Sequence, residues 1–378
     1  MSEPLRFLHL QSTFSPGGKE VRTVQLINAL GGKVRHTIVS AEADQLGAAE
    51  RIDRGVRVDL QPDFPSLKGK PTPGRLQKLA RAMEGYDLVL TYNWGAMDAV
   101  MAHTLFKDTM GLPPLIHHED GFDEFELSRR RRGRNWYRRI ALGKADALVV
   151  PSLQLEEIAL TEWQQPLGRV KRISNGIDIA AYGKKPRPDA IPRLVKQADE
   201  MWVGTLAGLR TVKNLPRLVR AFAATGEEWH LVICGEGDTR DAIMAEADRL
   251  EINHRVHLPG AVPDPAKVVG LFDIFALSSD SEQFPLSVVE AMAAGLPIAA
   301  PPVGDIAEMV SAENREHLPA GMAESELAEA IVTLSREAGL RDRLGAANRE
   351  KARASYDAKD MIARYRRLYE SALRREIG

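Results

Sequence analysis

The stretch that decides the fold covers residues 278–297 and reads 278-SSDSEQFPLSVVEAMAAGLP-297. Its apolar residues recur at helical spacing: Val288, Val289, Met292 and Ala293. Pro285 suits the first turn of a helix, where its missing N–H costs nothing. Gly295 followed by Pro297 is a stop signal. The pattern therefore predicts a loop, a helix and a sharp end.

Two carboxylates lie on either side of the predicted helix start. Glu282 falls in the loop before the helix, and Glu290 falls in its second turn. Between them, the free N–H groups of Phe284, Leu286 and Ser287 point out of the helix N-terminus, which attracts anions and phosphate above all. Carboxylates beside a phosphate site make sense when the ligand carries hydroxyl groups on both sides of its phosphates. A nucleotide sugar does, with ribose on one side and a hexose on the other.

This segment resembles the donor-site signature of the retaining glycosyltransferases of family 4, which have the GT-B fold. The signature is Glu, seven residues, Glu and then Ala-Met-Ala-x-Gly-x-Pro, and all of it is present from Glu282 to Pro297. Family members usually have Gly after the first Glu, whereas this chain has Gln283, without glycine's backbone freedom. The resemblance implies an α/β protein with two Rossmann-like, doubly wound parallel-sheet domains facing across a cleft. The alternative is a buried α/β helix with two incidental surface glutamates.

Length and composition agree with two domains. The chain has 378 residues, which is large for one core. Its 51 Lys and Arg nearly cancel its 52 Asp and Glu, so no net field steers it towards nucleic acid. The single cysteine, Cys234, cannot form an internal disulfide, which suits a reducing compartment. With no leader and no run of roughly 18 apolar residues, we expect a cytoplasmic protein, soluble or on the membrane's inner face.

Short apolar strands alternate with helical stretches, which predicts doubly wound parallel sheets. The predicted strands cover residues 5–10, 37–40, 87–91, 114–117, 147–151, 202–206, 230–234, 255–258 and 274–277. Asn175-Gly176 marks a turn at the junction between the halves. By the resemblance, residues 1–173 form an N-terminal acceptor domain and residues 174–355 a donor domain. The tail, 356–378, has helical spacing and is expected to cross back onto the N-terminal domain.

A second element for phosphate follows the strand at 202–206. In the family, an Arg and a Lys in this turn neutralise the donor's diphosphate, and stabilising that leaving group is the main catalytic demand. Lys213 occupies the family's Lys position, counted back from Phe222, while the usual Arg position falls on Gly208 and Arg210 replaces it. A solvated pair is the alternative, but cations at a helix start oppose its dipole. Because these cations can neutralise the diphosphate as a metal ion would, we expect no metal and no cofactor beyond the nucleotide-sugar substrate.

Two glycine turns add to the candidate donor site. Gly235 and Gly237 follow a strand and resemble the family's Gly-x-Gly turn, where glycine lets the backbone approach the nucleotide. Arg240 stands where a dinucleotide fingerprint has its third glycine, which disfavours a NAD enzyme. Gly17 and Gly18 join the first strand to its helix and resemble the family's loop that contacts donor phosphate and acceptor. A plain βα turn is the alternative for this pair.

Four titratable side chains follow one another at the end of the fourth predicted strand: His117, His118, Glu119 and Asp120. Relatives carry a His here that contacts the donor sugar near the reacting carbon. The strand ending favours His117 and then His118, whereas matching the family's Glu-His-Gly would put Asp120 on that His. A metal site is a weaker alternative, because consecutive residues rarely converge on one ion.

The densest charge in the chain lies between Arg129 and Arg139. In a helix, four successive arginines would point in directions around most of its circumference, so they cannot form one face. Trp136 and Ile140 are four residues apart and would lie on the same face. Arginines interleaved with aromatic residues suit an anionic membrane surface or a pyrophosphate-linked lipid acceptor. An ordinary solvated stretch is an equal alternative. Nucleic-acid binding ranks third, because no stacking module accompanies the charge.

The resemblance thus implies a retaining, metal-independent hexosyltransferase that acts on a glycan or lipid-linked acceptor in polysaccharide or cell-surface glycan synthesis. Glu282 would contact the hexose hydroxyls and Glu290 the ribose, while Lys213, Arg210 and the helix N-terminus hold the diphosphate. Retention in this family is explained by front-face attack, in which the leaving phosphate takes the acceptor's proton. The alternatives are a GT-B nucleotide-sugar epimerase and a non-catalytic subunit that binds sugar or lipid phosphate.

Overall fold

The computed structural model describes residues 3–122, 126 and 131–378. The chain divides into two compact units: unit 1 comprises Met1–Asn175 with Asp360–Gly378, and unit 2 comprises Gly176–Lys359. The boundary after Asn175 lies close to the predicted one after residue 173. Each unit is built on its own parallel sheet, which confirms the predicted fold class.

Unit 1 contains a seven-stranded parallel sheet with helices on both faces. Its strands are β1 (Leu5–Gln11), β2 (Val34–Ser40), β3 (Arg57–Leu60), β4 (Leu88–Tyr92), β5 (Leu115–His118), β6 (Ala147–Val150) and β7 (Val170–Arg172). Its helices before the junction are α1 (Gly18–Leu30), α2 (Pro73–Met83), α3 (Met97–Met110), α4 (Arg132–Ala141) and α5 (Leu153–Thr161). The strand order is β3-β2-β1-β4-β5-β6-β7, a doubly wound arrangement with one added edge strand.

Unit 2 contains a five-stranded parallel sheet. Its strands are β8 (Met201–Leu206), β9 (Trp229–Cys234), β10 (Val256–Gly260), β11 (Ile274–Ala276) and β12 (Ile298–Ala299). Its helices are α6 (Leu215–Phe222), α7 (Arg240–Arg249), α8 (Leu286–Ala294), α9 (Ile306–Met309), α10 (Ala312–Arg315), α11 (Glu324–Arg336) and α12 (Ala338–Ser355). The order β10-β9-β8-β11-β12 repeats the pattern of unit 1, in which the strand order reverses beside the first strand.

Alternation along the buried strands gives each sheet two apolar faces. In β1 of unit 1, Leu8 and Leu10 pack with α2 and α3, whereas Phe7 packs with the opposite cluster. The last helix, α13 (Ala358–Leu373), contributes Tyr365 and Tyr369 to the Phe7 cluster, and the rings of Phe7 and Tyr369 meet edge to face at 6.0 Å. From Asp360 onward this helix is therefore part of the unit 1 core.

The strand predictions differ from the structure mainly at the short strands on the edges of the sheets. The edge strands β3 and β7 and the two-residue β12 were not predicted, because each lacks the long apolar run of a central strand. As a result, β5 is the fifth strand of unit 1 and not the fourth. In the part of the chain that the structure describes, no helix combines the length and the apolar character needed to cross a membrane.

Candidate functional site

The reversal of strand order in unit 2 places two loops side by side. In open α/β sheets, ligands bind at the carboxyl ends of the strands where the order reverses, here β8 and β11. The loop after β8 carries Arg210 and Lys213 into α6, and the loop after β11 carries Glu282 into α8. Main-chain contact fixes the two loops to each other, since Asp280 N–H donates to Val212 O at 2.8 Å.

Lys213 and Glu282 meet at this point. The Lys213 Nζ donates to Glu282 Oε1 at 2.5 Å, and the Ser279 hydroxyl donates to the same oxygen at 2.7 Å. Only 17% of the lysine side chain and 10% of the glutamate side chain is exposed. Glu282 Oε2 has no hydrogen-bond partner among the residues that the structure describes, so this oxygen is available to a ligand. The structure thus brings together two predicted donor-site residues.

Arg210 lies beside the same loop and is exposed. Its Nε lies 3.3 Å from the place that a Cβ on Gly208 would take. The Arg210 side chain therefore reaches back over Gly208, the position at which the resembled family has its Arg.

Helix α8 begins one residue later than predicted. Pro285 is the N-cap, with φ −68° and ψ 110°, and Leu286 is the first helical residue, so Pro285 does not lie in the first turn. No side chain caps the helix, which leaves its first N–H groups, including that of Ser287, for solvent or a ligand. Phe284 is buried and packs edge to face on Tyr356 at 5.6 Å, which fixes the chain before the cap. The helix ends at Ala294, and the C-cap Gly295, with a φ of 81°, is the predicted stop in left-handed conformation.

Glu290 lies in the second turn of α8, as predicted, and has a partner that the sequence did not indicate. The Tyr182 hydroxyl donates to its carboxylate. Burial raises the pKa of Glu290 to about 7, and the Tyr182 hydrogen bond opposes part of that shift. Tyr182 lies in the 3-10 turn Ile179–Gly183, directly after the junction between the units. The Asn-Gly turn located this segment in the sequence, but nothing in it pointed to the tyrosine.

The loop around Glu282 is held by an unusual main-chain approach. Gly304, with φ +57°, lies so close that a Cβ there would be 2.4 Å from Glu282 O. The carbonyl of Gln283 accepts a hydrogen bond from Asp305 N–H at 3.3 Å. The side-chain Oε1 of Gln283 is buried and has no partner within the described residues. Gln283 thus adds a polar group to the loop where relatives usually have glycine.

Gly235 and Gly237 have a packing role that the sequence did not indicate. A Cβ on Gly235 would lie 1.8 Å from Ala207 O, and a Cβ on Gly237, with φ +148°, would lie 2.3 Å from Leu209 O. The Leu209 N–H also donates to Glu236 O at 2.8 Å. These glycines therefore let the loops after β8 and β9 contact each other.

In unit 1, the two predicted histidines are buried. His117 Nδ1 is hydrogen-bonded to the Thr91 hydroxyl at 2.8 Å, and its Nε2 lies 3.7 Å from Glu119. His118 stacks on Tyr92 at 4.5 Å, on the opposite face of β5. Burial, followed by the charge of Arg22, lowers the pKa of His118 well below its usual value. Both imidazoles are at most 1% exposed, so within unit 1 neither is positioned to meet a ligand in solvent.

Asp120 is the first of the four titratable residues that is partly exposed, because His117, His118 and Glu119 are buried. Its carboxylate accepts two hydrogen bonds from the buried guanidinium of Arg22, one of them at 2.8 Å. Arg22 also donates to Asn175 Oδ1 at 3.0 Å, and Asn93 Oδ1 accepts from Asp120 N–H at 2.8 Å. Asp120 is therefore held in place by Arg22 of α1 and by Asn93 of the loop after β4, and Asn175 accepts a hydrogen bond from the same Arg22.

Gly17 and Gly18 lie at the start of α1, as predicted. Gly17 is the N-cap in extended conformation and Gly18 is the first helical residue. The adjacent Lys19 donates to Gln11 Oε1 at 2.8 Å and to Thr13 O at 3.1 Å, so it closes the loop after β1. Because β1 and β4 mark the reversal of strand order in unit 1, this loop lies at the position where such sheets bind ligands.

The basic stretch is only partly a solvated surface. Arg129 and Arg130 lie outside the described residues, and Arg131 precedes α4. Arg138 is fully buried, so the alternative of an ordinary solvated stretch does not hold for the whole run. Its guanidinium donates to Glu119 at 3.3 Å and to Glu126 at 3.0 Å. Burial raises the pKa of Glu126, but the hydrogen bonds and charges of Arg138 and Arg134 outweigh it, so the net shift is downward.

The other side of α4 carries the exposed residues of that stretch: Arg132, Trp136, Arg139 and Ile140. Trp136 is 65% exposed and Ile140 is 39% exposed, so they share a solvent-facing side as their spacing predicted. Throughout the described ranges, no three His, Cys, Asp or Glu side chains are grouped closely enough to hold a metal ion.

Two family models match the chain in succession. The model described as Glycosyltransferase Family 4 matches residues 16–181, and the model described as Glycosyl transferases group 1 matches residues 186–351. A GDP-mannose-dependent alpha-mannosyltransferase of Mycobacterium tuberculosis is 26% identical over 311 residues, covering 76% of each chain. The N-acetyl-alpha-D-glucosaminyl L-malate synthase of Bacillus anthracis is 25% identical over 215 residues, so the chain spans 56% of that relative's length.

Solved structures show the same fold. HepE of Anabaena, in complex with UDP-glucose, has a TM-score of 0.78 at 20% identity, over 97% of this chain and 100% of that one. The sucrose-phosphate synthase of Thermosynechococcus elongatus has a TM-score of 0.77 at 22% identity, over 97% and 98% of the two chains. The lipopolysaccharide glycosyltransferase WaaG has a TM-score of 0.68 at 15% identity, over 97% and 99%.

Proposed function

This chain belongs to the group 1, family 4 glycosyltransferases of the GT-B type, and we propose that it transfers a hexose from a nucleotide-diphosphate sugar with retention of anomeric configuration. The observation that carries the proposal is the contact between Lys213 and Glu282 beside the uncapped N-terminus of α8. A cation, a carboxylate with a free oxygen and a row of N–H groups converge there. The cation and the N–H groups suit a diphosphate, and the carboxylate suits the hydroxyl groups of a sugar joined to it.

Each group has a distinct task in this proposal. The N–H groups at the start of α8, with Lys213 and Arg210, hold the diphosphate and stabilise its charge as it leaves. Glu282 Oε2 accepts a hydrogen bond from a hexose hydroxyl, because Oε1 is occupied by Lys213 and Ser279. Glu290 accepts from the ribose. These cations supply the positive charge that a divalent ion would otherwise bring, so the proposed transfer needs no metal.

Retention follows from attack on the same face that the diphosphate leaves. The bond from the anomeric carbon to the phosphate oxygen breaks, the bond to the acceptor oxygen forms, and the acceptor's proton moves to the departing phosphate. No protein nucleophile is required. Of the unit 1 candidates, His117 and His118 are buried, whereas Asp120 is partly exposed, so Asp120 is the one of the three that a ligand can reach.

The comparisons support a nucleotide-sugar donor without fixing which one. One relative uses GDP-mannose and one fold neighbour was solved with UDP-glucose. WaaG takes part in lipopolysaccharide biosynthesis, which supports a glycan or lipid-linked acceptor in cell-surface glycan synthesis. We further propose that the α4 side formed by Arg132, Trp136, Arg139 and Ile140 rests on an anionic membrane at the cytoplasmic face.

Donor turnover and product configuration test this function. Release of nucleotide from UDP-, GDP- and ADP-sugars is measured with a panel of glycan and lipid-linked acceptors, with and without a chelator. The anomeric configuration of the product is read from its NMR coupling constants. We expect one nucleotide to be preferred and the chelator to leave the rate of nucleotide release unchanged. The new linkage should have the same anomeric configuration as the donor. An inverted product would contradict the proposed mechanism.

Two outcomes would support the alternatives. Conversion of the donor sugar to its epimer without any acceptor would indicate a nucleotide-sugar epimerase. Tight binding of a nucleotide sugar with no transfer to any acceptor would indicate a binding subunit. Glu282→Ala should lower nucleotide release, whereas its control Glu313→Ala changes an exposed side chain of unit 2 and should behave as wild type.

A further inference from the structure

A basic cavity lies in unit 1 between the edge strand β7 and helix α13. It has a volume of about 380 Å³. Its charged lining consists of Lys171 and Arg172 from β7, Arg364 and Arg367 from α13, and Glu156 from α5. Cavities of this size are typical of sites for small molecules. None of these residues belongs to the donor site proposed in unit 2.

The cavity carries an excess of positive charge that the protein does not balance. Four cations face one carboxylate. Arg172 Nε donates to Glu156 Oε2 at 2.9 Å, which offsets one of the four. The side chains of Lys171 and Arg367 have no hydrogen-bond or ion-pair partner in the part of the chain that the structure describes. Because the whole chain is close to neutral, with 51 basic and 52 acidic residues, this excess is local. Gathering like charges is unfavourable unless an anion joins them.

The remaining lining is apolar. Val170, Ile173 and Leu368 contribute to the wall, and Val170 and Ile173 are buried. The lining therefore suits an anionic group attached to a body with apolar surface. Arginine forks match phosphate oxygens in pairs, and a phosphate dianion can use several cations at once. Phosphate is thus the anion that this combination of two or more cations fits best.

The cavity adjoins both places where the chain passes between the units. Strand β7 ends at Arg172, shortly before the boundary at Asn175. Helix α13 brings the chain back into unit 1 at Asp360. The two elements are already joined by one bond, from Arg364 to the main-chain oxygen of Arg172 at 2.6 Å. An anion held by both elements would strengthen that connection.

We propose that this cavity is a second anion site, which binds the phosphate group of a ligand through Lys171 of β7 and Arg367 of α13, with Arg172 and Arg364 beside them. The ligand is either a soluble phosphorylated molecule or the headgroup of a phospholipid. Both present the same phosphate chemistry to the cavity. The site is independent of the transferase reaction and does not rest on the proposed donor.

Binding to the full chain tests the site with two probes. Inorganic pyrophosphate is titrated calorimetrically, and cosedimentation is measured with phosphatidylglycerol vesicles and with phosphatidylcholine vesicles. The test variant is Lys171→Ala/Arg367→Ala, in which both side chains are exposed and the fold should persist. Its matched control is Lys184→Ala/Lys185→Ala, with the same loss of charge at exposed residues of unit 2. Any binding of pyrophosphate at the donor site is identified separately by Lys213→Ala.

We expect the test variant to weaken at least one probe tenfold or more, and the control to leave both unchanged. Weakened pyrophosphate binding identifies a soluble ligand. Weakened binding to phosphatidylglycerol vesicles, with none to phosphatidylcholine, identifies a lipid. If the test variant binds pyrophosphate and phosphatidylglycerol vesicles as wild type does, the proposal is wrong.

Discussion

At the scale of single residues, the candidate site depends on contacts that join distant parts of the chain. Lys213 and Glu282 are 69 positions apart, and Tyr182 reaches Glu290 from the segment after the junction. The sequence identified Lys213, Glu282 and Glu290 as candidate site residues, because each lies in a motif, but it did not identify Tyr182. It could not predict that Lys213 and Glu282 pair with each other, since that contact depends on how two loops pack at the end of the sheet.

The raised pKa of Glu290 makes a prediction about stability. The folded protein holds the proton up to about pH 7, whereas the unfolded chain releases it near the usual value of 4.5. Between these values the folded state binds more protons, so stability falls as the pH rises. Glu290→Gln removes this contribution. Urea unfolding of both proteins from pH 4 to pH 8 should show wild type losing stability relative to Glu290→Gln.

Tyr182→Phe provides the control for that measurement. It deletes only the hydroxyl that favours the ionised carboxylate, so the pKa of Glu290 should rise further. The fall in stability, which begins near the unfolded value of 4.5, should then extend to higher pH. Parallel curves for wild type and Glu290→Gln would show that the Glu290 carboxyl titrates normally.

At the scale of elements, long apolar strands were predicted well and short edge strands were not. Central strands such as β1 and β9 are buried almost throughout, so their composition alone identifies them. The carboxyl end of β5 was harder, because His117 and His118 are polar residues packed inside a core. Arg138 was missed for the same reason: a charge run predicts exposure, and only the fold shows which arginine turns inward.

The two glycines between β9 and α7 are predicted to be indispensable for packing. Gly235→Ala would place a methyl group 1.8 Å from Ala207 O, so a main-chain segment would have to move. Overpacking of this kind typically costs about 1–3 kcal/mol. Gly32→Ala is the control, because nothing lies within 4 Å of its Cβ. Chemical denaturation should show a clear loss for the first variant only, and equal stability of the two would contradict the packing role.

Buried Arg138 is predicted to stabilise the contact between α4 and the end of β5. Arg138→Ala leaves the buried carboxylates of Glu119 and Glu126 without their main partner, and breaking a buried pair costs about 3–5 kcal/mol. The control is Arg139→Ala, at the next residue, whose side chain is exposed. It should change the free energy of unfolding by less than about 0.5 kcal/mol. A similarly small effect of Arg138→Ala in thermal or urea unfolding would show that the ion network contributes little.

At the scale of the whole molecule, two units with parallel sheets could be read from the alternation of strands and helices. The strand order could not, because it depends on which strands pair. That order is what places the loops after β8 and β11 together. The enzyme class follows from the motifs and the family matches. The choice of donor and acceptor depends on particular side chains, and a single sequence does not show which ones they are.

The central claim is that the sugar donor's diphosphate lies against Lys213 at the start of α8. The most direct test is kcat/KM for nucleotide release by Lys213→Ala, with the exposed Lys184→Ala as control. Since one group that stabilises developing charge typically contributes a factor of about 10²–10³ in rate, we predict a loss of that size for Lys213→Ala and none for the control. A folded Lys213→Ala protein with wild-type kcat/KM would contradict the account.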